Sequence, residues 1–294
     1  MNENFDYEKV FMGLSNDKSS SDFQKLYKSD YRLRNLVEKI HIKNGRILDI
    51  GCGGGTLTRS LTYYYPQAQI FGCDISKTAI KFAKSLGRGK VKYDMIKNQK
   101  LPYKDNFFDV CLSLDVLEHV PDINLYLKEA KRVLKNDGLF YLVVPCEGQP
   151  FTLTSFFQKI KIGENLTYKN FGHIHPEFTH DYICRLLNSF NFKVCEKKFS
   201  FHIFSQIITF FQYYLPKEML DFFLGKKKAA EYYDRNAVQK SSVINHKKDF
   251  FTLMRNLLFR LTVWTAIFGE LEIRYLQNVG LTAGKITIIA QNNK

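Results

Sequence analysis

The sequence has no Cys-x-x-Cys pair, although it contains six cysteines, at positions 52, 73, 111, 146, 184 and 195. Most of them lie in apolar runs, which predicts reduced, buried thiols and argues against a structural metal site made of cysteines. The start of the chain has neither a basic segment nor an apolar run. No signal peptide is therefore expected, and the predicted location is the cytoplasm.

Acidic residues are too few to balance the basic ones, since 29 Asp and Glu stand against 43 Lys and Arg and give a formal net charge of +14. This surplus favours an anionic partner: nucleic acid, a phosphorylated substrate or an acidic membrane surface. Long hydrophobic runs are also absent. The uncharged stretch at residues 199–215 is short for a membrane span, and it contains His202, Gln206 and Gln212.

What the sequence does contain is a short apolar strand, Ile47–Ile50, that runs directly into glycines at positions 51, 53, 54 and 55. A helix pattern follows from Thr56. Glycine lets a ligand approach the backbone closely, and the start of a helix directs free N–H groups toward it. This combination predicts a pocket for a nucleotide-like ligand.

Strand and helix patterns alternate beyond this loop. Predicted helices begin at Thr56, at the capping Ser76 and at Pro121-Asp122, and Asn136-Asp137-Gly138 predicts a turn into the fifth strand. Such alternation predicts an α/β fold with a mostly parallel sheet that is covered on both faces. The five predicted strands are Ile47–Ile50, Gln69–Asp74, Lys90–Tyr93, Phe108–Leu114 and Leu139–Val144.

Three acidic residues lie in or at the end of successive predicted strands. Ligands of such sheets bind at the carboxyl ends of the strands. Asp74 can accept hydrogen bonds from both hydroxyls of a ribose, and Asp94 or a backbone group beside it can accept one from an adenine amine. Asp49, inside the first strand, can orient a cationic amino group.

Four motifs resemble those of the class I S-adenosylmethionine-dependent methyltransferases, and within them the group with small-molecule substrates in quinone and sterol biosynthesis. The resemblance spans residues 45–145. The motifs are Ile-Leu-Asp-Ile-Gly-Cys-Gly-Gly-Gly, Gly-Cys-Asp-Ile-Ser, Leu-Pro-Tyr-Lys-Asp-Asn-Phe-Phe-Asp-Val and Leu-Glu-His-Val-Pro-Asp.

The resemblance implies a Rossmann-like, doubly wound sheet of seven strands, with the last strand antiparallel beside the sixth. It implies S-adenosyl-L-methionine as the cofactor, and Asp115 would face the methyl group and the substrate. The residues expected to contact the cofactor are Asp49, Gly51, Gly53, Asp74, Ile75, Asp94, Met95 and Asp115.

Local sequence weighs against three other chemistries. The nicotinamide fingerprint Gly-x-Gly-x-x-Gly fails, because position 56 is Thr. Methylation of adenine or glutamine typically goes with Asn/Asp-Pro-Pro-Tyr/Phe after the fourth strand, where this chain reads Leu-Asp-Val-Leu. Cys146 follows Pro145 as in a cytosine methyltransferase, but it comes after the fifth strand and is interpreted as a loop residue.

The sulfonium methyl group is already activated, so a methyltransferase has mainly to align an acceptor with it and exclude water. An acceptor hydroxyl would need a base, and the candidates are Asp115, His119, His173 and His175. Asp115, Glu118 and His119 could also share one face of a helical turn and bind a divalent cation, although loop capping explains the same residues. The sequence alone does not assign a metal.

The predicted organisation is a helical lid (residues 1–44), a catalytic domain (45–198), a helical cap inserted before the last strand (199–276) and that strand (277–294). Aromatic stripes beside Lys226–Lys228 favour a lipid-like acceptor and peripheral contact between residues 199–276 and a membrane. The expected reaction is O- or C-methylation of a small or lipid-like acceptor. The alternative is an RNA or protein methyltransferase, but nucleic acid is disfavoured because no RNA-binding signature is present. The oligomeric state is left open.

Overall fold

The structure is a computed structural model that describes residues 19–87, 90–153, 155–156, 172–209 and 269–294. Most of the predicted helical cap, including Lys226–Lys228 and the aromatic stripe from Phe250 to Phe268, lies outside the described residues. So does the polar segment 1–18 of the predicted lid. No helix in the described ranges is both long enough and apolar enough to cross a membrane.

Two helices, α1 (Ser20–Ser29) and α2 (Tyr31–Lys39), precede the first strand. Ser19 caps α1, because its side chain accepts a hydrogen bond from the N–H of Asp22 and the Asp22 carboxylate accepts one from the N–H of Ser19. Asp30 ends α1 and caps α2. The described part of the predicted lid is thus helical from residue 20 to residue 39, with a break at Asp30.

Seven strands form one sheet in the spatial order β3-β2-β1-β4-β5-β7-β6. The pairs β1–β2, β1–β4, β2–β3 and β4–β5 are parallel, and β7 runs antiparallel to β5. This order confirms the predicted Rossmann-like sheet with an antiparallel last strand. The strands are β1 (Gly45–Ile50), β2 (Ala68–Asp74), β3 (Val91–Met95), β4 (Phe108–Leu114), β5 (Leu134–Pro145), β6 (Phe192–Ser200) and β7 (Lys285–Asn292).

Two of the helices between the strands begin at a side chain that caps them. Ser76 accepts a hydrogen bond from the N–H of Ala79, and Asp122 accepts one from the N–H of Leu125, so both predicted helix starts are confirmed. The remaining described α-helices are α3 (Thr56–Tyr64), α4 (Lys77–Gly87), α5 (Ile123–Val133), α6 (His180–Ser189) and α7 (Ile203–Thr209).

Alternating side chains of the strands fill two apolar clusters, one on each face of the sheet. In β1, Leu48 and Ile50 belong to one cluster and Ile47 to the other. Asp49 therefore lies on the same face of the sheet as Ile47, where α3 also packs through Leu61. The sheet is buried on both faces, as a parallel sheet requires.

The predicted turn at Asn136-Asp137-Gly138 does not separate helix from strand, because β5 begins earlier, at Leu134. Leu134 pairs with Phe108, and the next pair joins Leu139 to Val110, so four residues of β5 bulge out opposite one residue of β4. Asp137 adopts a positive φ of 59° within the bulge. The turn-forming residues thus serve a bulge inside a longer strand.

The uncharged stretch that begins at residue 199 starts inside a strand. Phe199 and Ser200 complete β6, Phe201 reverses the chain with a φ of 61°, and α7 begins at Ile203. The chain divides into two compact units. Unit 1 contains Met1–Gln149, Thr167–Phe199 and Lys285–Lys294, and unit 2 contains Pro150–Leu166 and Ser200–Gly284.

Candidate active site

The glycine loop between β1 and α3 is held close to neighbouring residues. Gly51 has a φ of 77° and donates its N–H to the carbonyl of Cys73 at 2.7 Å. A Cβ added to Gly51 would lie 2.4 Å from Cγ2 of Val116, and one added to Gly55 would lie 2.4 Å from the hydroxyl oxygen of Tyr93. Only glycine fits both positions, which keeps the backbone of the loop open to a ligand.

Asp49 is a buried acid beneath this loop, with 3% of its surface exposed. Its Oδ2 accepts a hydrogen bond of 2.6 Å from the hydroxyl of Thr58 in α3. Burial raises the pKa of Asp49 to about 7; the hydrogen bond from Thr58 opposes this rise and the charge of Asp74 adds to it. A cation placed beside a carboxyl group with this pKa would stabilise its ionised form.

Asp74 lies at the end of β2, as the sequence predicted, and its carboxylate is bound to the loop. Oδ2 accepts the N–H of Gly53 and Oδ1 accepts the N–H of Ser76, both at 2.8 Å. Ile75 follows with 52% of its side chain exposed. The two N–H donors therefore orient the carboxylate at the glycine loop.

Asp94 and Met95 end β3 beside the same loop. Oδ2 of Asp94 accepts a hydrogen bond of 3.1 Å from the hydroxyl of Tyr103, and Met95 is partly buried against the apolar cluster that contains Ile47. The role of Tyr103 could not be foreseen from the sequence, because it lies in the loop between β3 and β4 and no local pattern links it to Asp94.

Asp115 follows β4 directly, and its carboxylate forms two ion pairs. Its Oδ2 lies 2.7 Å from a terminal nitrogen of Arg32 in α2, and its Oδ1 lies 2.9 Å from Nζ of Lys285 in β7. Burial opposes ionisation, but Lys285 and Arg32 outweigh it and hold the pKa of Asp115 at about 2. Sequence reasoning missed both cations, which are far from Asp115 in the chain.

Glu118, His119 and His173 come together just beyond Asp115. His119 and Glu118 lie on a 3₁₀ turn, Leu117–His119, and His173 lies on the segment before α6. The Nε2 atoms of His119 and His173 are 3.8 Å and 3.9 Å from Oε1 of Glu118. Glu118 is 1% exposed, and burial followed by the charge of Asp115 raises its pKa well above the ordinary range.

Both histidines of this cluster are oriented through their other ring nitrogen. Nδ1 of His119 is 3.1 Å from the carbonyl oxygen of Gly172, and Nδ1 of His173 is in contact with Oε1 of Glu147. Burial lowers the pKa of His119 to about 4, so its ring is neutral near pH 7. The role of Glu147 was not predicted, since its position after β5 resembles that of any loop acid.

His175 does not belong to the cluster, although the sequence offered it as a candidate base. Its Nε2 is 2.8 Å from the carbonyl oxygen of Val120, its Nδ1 contacts Glu177, and its ring stacks on Phe178. These contacts indicate a structural role. Of the three candidate histidines, the structure thus brings His119 and His173 together and places His175 in the neighbouring turn.

Comparison with known proteins agrees with this architecture. A family described as a methyltransferase domain matches residues 48–142, the part of the chain that contains the glycine loop, the acids that end β2 and β3, and Asp115 after β4. YrhH of Bacillus subtilis, which carries a methyltransferase description, is 33% identical over 135 residues, covering 42% of this chain and 74% of that protein. The chain belongs to the class I S-adenosylmethionine-dependent methyltransferases.

Two further similarities are informative. A ubiquinone biosynthesis O-methyltransferase of Pelagibacter ubique is 34% identical over 116 residues, which cover 38% of this chain and 46% of that protein, so the alignment spans less than half of the relative. The crystal structure of YcgJ from Bacillus subtilis matches 90% of this chain and 99% of its own, with a TM-score of 0.52 and 16% identity. The second similarity is one of fold alone.

Proposed function

We propose that this methyltransferase binds S-adenosylmethionine at the glycine loop and transfers the methyl group to a hydroxyl oxygen of a small or lipid-like acceptor. The observation that carries the proposal is the cluster of Glu118, His119 and His173, which places proton-accepting atoms just after β4. Oxygen is favoured over carbon because a relative of similar sequence is described as an O-methyltransferase.

The residues around the loop fit this cofactor. Asp74 would bind the ribose hydroxyls, because its carboxylate is a strong acceptor and the N–H groups of Gly53 and Ser76 hold it at the loop. Asp49 would stabilise the cationic amino group, Gly51 and Gly53 would let the amino-acid part approach the backbone, and Ile75, Asp94 and Met95 would frame the adenine. Asp115 would lie beside the methyl group, with its charge fixed by Arg32 and Lys285.

S-adenosylmethionine supplies a methyl group that is already bonded to a positively charged sulfur. In the proposed step the acceptor oxygen forms a bond to the methyl carbon as the sulfur–carbon bond breaks, and that bonding pair stays on sulfur. The protein holds the acceptor in line and takes the hydroxyl proton into the cluster of Glu118, His119 and His173. Neutral His119 suits this task, since its Nε2 carries the lone pair when Nδ1 donates to Gly172.

The exposed apolar side chains of unit 2 support the proposal that the acceptor is lipid-like. Among the described residues, nine of the eleven exposed large apolar side chains belong to unit 2, and Tyr275, Phe151 and Phe204 are exposed by 70%, 68% and 56%. Apolar side chains of this size enter the boundary of a lipid headgroup layer readily. We propose that unit 2 brings the enzyme to a membrane surface that holds the acceptor.

The test is methyl transfer from radiolabelled S-adenosylmethionine to a panel of acceptors. Hydroxylated aromatics with and without an isoprenoid tail should gain 14 Da in mass spectrometry, and the tailed acceptors should give the lower KM. Fragmentation should place the methyl group on oxygen. Label in carbon-methylated product, or in RNA or protein offered at equal concentration, would overturn the assignment of the acceptor.

A further inference from the structure

Three side-chain atoms with lone pairs face one another in the cluster of Glu118, His119 and His173. One possible ligand atom from each of the three residues lies within 4.8 Å of those of the other two, and both Nε2 atoms are within 4 Å of Oε1 of Glu118. A direct N–H···O hydrogen bond would bring its two atoms to about 2.7–3.2 Å. The observed separations of 3.8 Å and 3.9 Å are too long for that, so neither Nε2 atom forms a direct hydrogen bond with Oε1 of Glu118.

The hydrogen bonds behind the rings determine which nitrogen faces this centre with a lone pair. A carbonyl oxygen such as that of Gly172 can only accept, so Nδ1 of His119 donates and its Nε2 is unprotonated in the neutral ring. Nδ1 of His173 contacts Glu147 in the same way. Carboxylate and carbonyl acceptors behind the ring are the arrangement that orients metal-binding histidines.

Glu118 provides an independent observation that points to a ligand. It is 1% exposed, and neither of its carboxylate oxygens has a hydrogen-bond partner among the described residues. Leaving a buried polar group unsatisfied costs about 1–3 kcal/mol, and more for a charged group. A cation bound at the centre would satisfy the carboxylate and both histidines together.

We infer that Glu118, His119 and His173 bind a divalent transition-metal ion, with Glu147 and the carbonyl of Gly172 as the groups that orient the two histidines. Metal–ligand distances of about 2.0–2.2 Å place ligand atoms roughly 3–4 Å apart, as the two measured separations require. Two imidazoles and one carboxylate suit zinc, manganese, iron(II) or cobalt better than magnesium.

Asp115 is not a ligand of this site. Both of its oxygens are paired with cations, one with Arg32 and one with Lys285, and these charges would oppose a metal ion at that carboxylate. The set of ligands therefore differs from the one that the sequence suggested, with His173 in the place of Asp115.

Three protein ligands leave coordination positions open for another molecule. If the proposed function holds, the oxygen of the acceptor hydroxyl would occupy one of them, and the cation would favour loss of its proton to water. With the metal bound, Glu118, His119 and His173 would act as its ligands and would no longer accept that proton themselves. This consequence rests on the proposed function, whereas metal binding itself does not.

The experiment measures metal binding by the full chain after dialysis against a chelator. Calorimetric titration with zinc, manganese(II) and cobalt(II) should show one site per chain for at least one of them, and cobalt(II) should give the visible absorption of a site with nitrogen ligands. Glu118→Gln and His173→Gln should weaken binding more than a hundredfold. Glu147→Gln, which removes only an orienting group, should weaken it about 10–100-fold.

His175→Gln is the matched control, because it changes a histidine of the same segment whose nitrogens contact Val120 and Glu177. Its metal affinity should equal that of the wild type. Binding of S-adenosylhomocysteine reports whether each variant is folded. The inference is overturned if wild-type protein that binds S-adenosylhomocysteine takes up none of the three metals at millimolar concentration, or if folded Glu118→Gln and His173→Gln bind metal like the wild type. A failure to find methyl transfer would contradict the proposed function but would not contradict metal binding at this site.

Discussion

Asp74 is the residue on which both the shape of the loop and the proposed ribose contact depend. Its two oxygens accept the N–H groups of Gly53 and Ser76, so the side chain connects the glycine loop to the turn after β2. A hydrogen bond to a charged group contributes about 1.5–3 kcal/mol. Removing the carboxylate therefore affects the ligand directly and also loosens the loop that surrounds it.

Asp74→Ala should weaken binding of S-adenosylhomocysteine at least tenfold, measured by calorimetry at pH 7.5. The control is Asp109→Ala, which also removes a carboxylate that accepts a backbone N–H, that of Arg46, but at the amino end of β4. The control should bind with unchanged affinity. Equal affinity of Asp74→Ala and the wild type would remove Asp74 from the cofactor site.

Asp49 should make cofactor affinity depend on pH. Its pKa is about 7 in the free protein, so below pH 7 it is mostly protonated and must lose that proton before it can stabilise a cationic amine. An α-amino group has a pKa of about 7.7–8.0 and remains charged below that range. Affinity should therefore rise as the pH increases from 5.5 to 7, approaching tenfold per pH unit at the acid end.

The measurement is calorimetry across this range in buffers with different ionisation enthalpies, which counts the protons released on binding. About one proton should be released at pH 5.5, and the number should fall toward zero above pH 7.5. Asp49→Asn should bind weakly with much less dependence on pH. A wild-type affinity that does not change with pH would contradict this role.

At the residue scale, the sequence could predict the acids but not their partners. Asp49, Asp74 and Asp94 are predictable because the carboxyl ends of parallel strands meet at one edge of the sheet. Their partners are brought in by tertiary packing, which leaves no periodic signal in the sequence. This holds for Thr58 beside Asp49, Tyr103 beside Asp94 and Glu147 beside His173. Arg32 and Lys285 approach Asp115 from opposite ends of the chain for the same reason.

At the scale of elements, the glycine loop is fitted to the turn after β4. Gly51 and Val116 are in contact, and Gly51 also needs its positive φ of 77°. A side chain there meets both a steric and a conformational penalty. The left-handed conformation costs a non-glycine residue about 1–2 kcal/mol, and overpacking costs about 1–3 kcal/mol.

Gly51→Ala should lower the free energy of unfolding by about 3 kcal/mol, measured by urea denaturation. In the double variant Gly51→Ala/Val116→Ala, the two nearest atoms, Cγ2 and Cγ1 of Val116, are absent, and about half of the loss should be recovered. The loss of stability that remains in the double variant measures the strain of the positive φ at position 51. If the double variant loses as much stability as the two single variants together, the steric contact between positions 51 and 116 is not the cause of the loss.

The ion pairs of Asp115 connect α2 and β7 to the end of β4. The pKa of Asp115 is lowered to about 2, so these pairs stabilise the folded protein fully above the ordinary carboxyl pKa near 4. That stability is lost as the pH falls from 4 toward 2, because the unfolded chain takes up the proton first. The loss should amount to about 2 kcal/mol.

Urea denaturation at pH 5, 4, 3 and 2.5 would measure this loss of stability. Other carboxylates titrate in the same range, so the informative comparison is with Asp115→Asn. The unfolding free energy of Asp115→Asn should be lower than that of the wild type at pH 5. Below pH 4 it should fall less steeply with pH, because unfolding of the variant takes up about one proton fewer. Identical slopes for both proteins would show that Asp115 has an ordinary pKa.

The elements themselves were predictable where local chemistry defines their ends. β4 was predicted with its observed ends, Phe108 and Leu114, because its mostly apolar run is bounded by polar residues, Asp105-Asn106 before it and Asp115 after it. β5 was predicted too short, since Asn136-Asp137-Gly138 gives the same local signal for a bulge as for a turn. Only the pairing with β4 distinguishes the two.

At the scale of the whole molecule, the proposed attraction to lipid depends on unit 2. The wild type should co-sediment with vesicles that contain an anionic lipid, and less with neutral vesicles, because the net charge is +14. The double variant Phe204→Ser/Tyr275→Ser should reduce the bound fraction severalfold. Tyr63→Ser, which changes an exposed aromatic residue of unit 1, should not. A protein that stays in the supernatant with both vesicles would rule out the membrane contact.

The position of β7 has a consequence for synthesis on the ribosome. β7 separates β5 from β6, so β6 has no neighbouring strand until residues 285–292 have been made. At roughly 5–20 residues per second, translation of residues 201–284 takes on the order of ten seconds. During that time the nascent chain exposes an unpaired edge of β5 to other chains. Pro145 also pairs with Lys285, which lies far along the chain, and contacts between residues so distant in sequence slow folding.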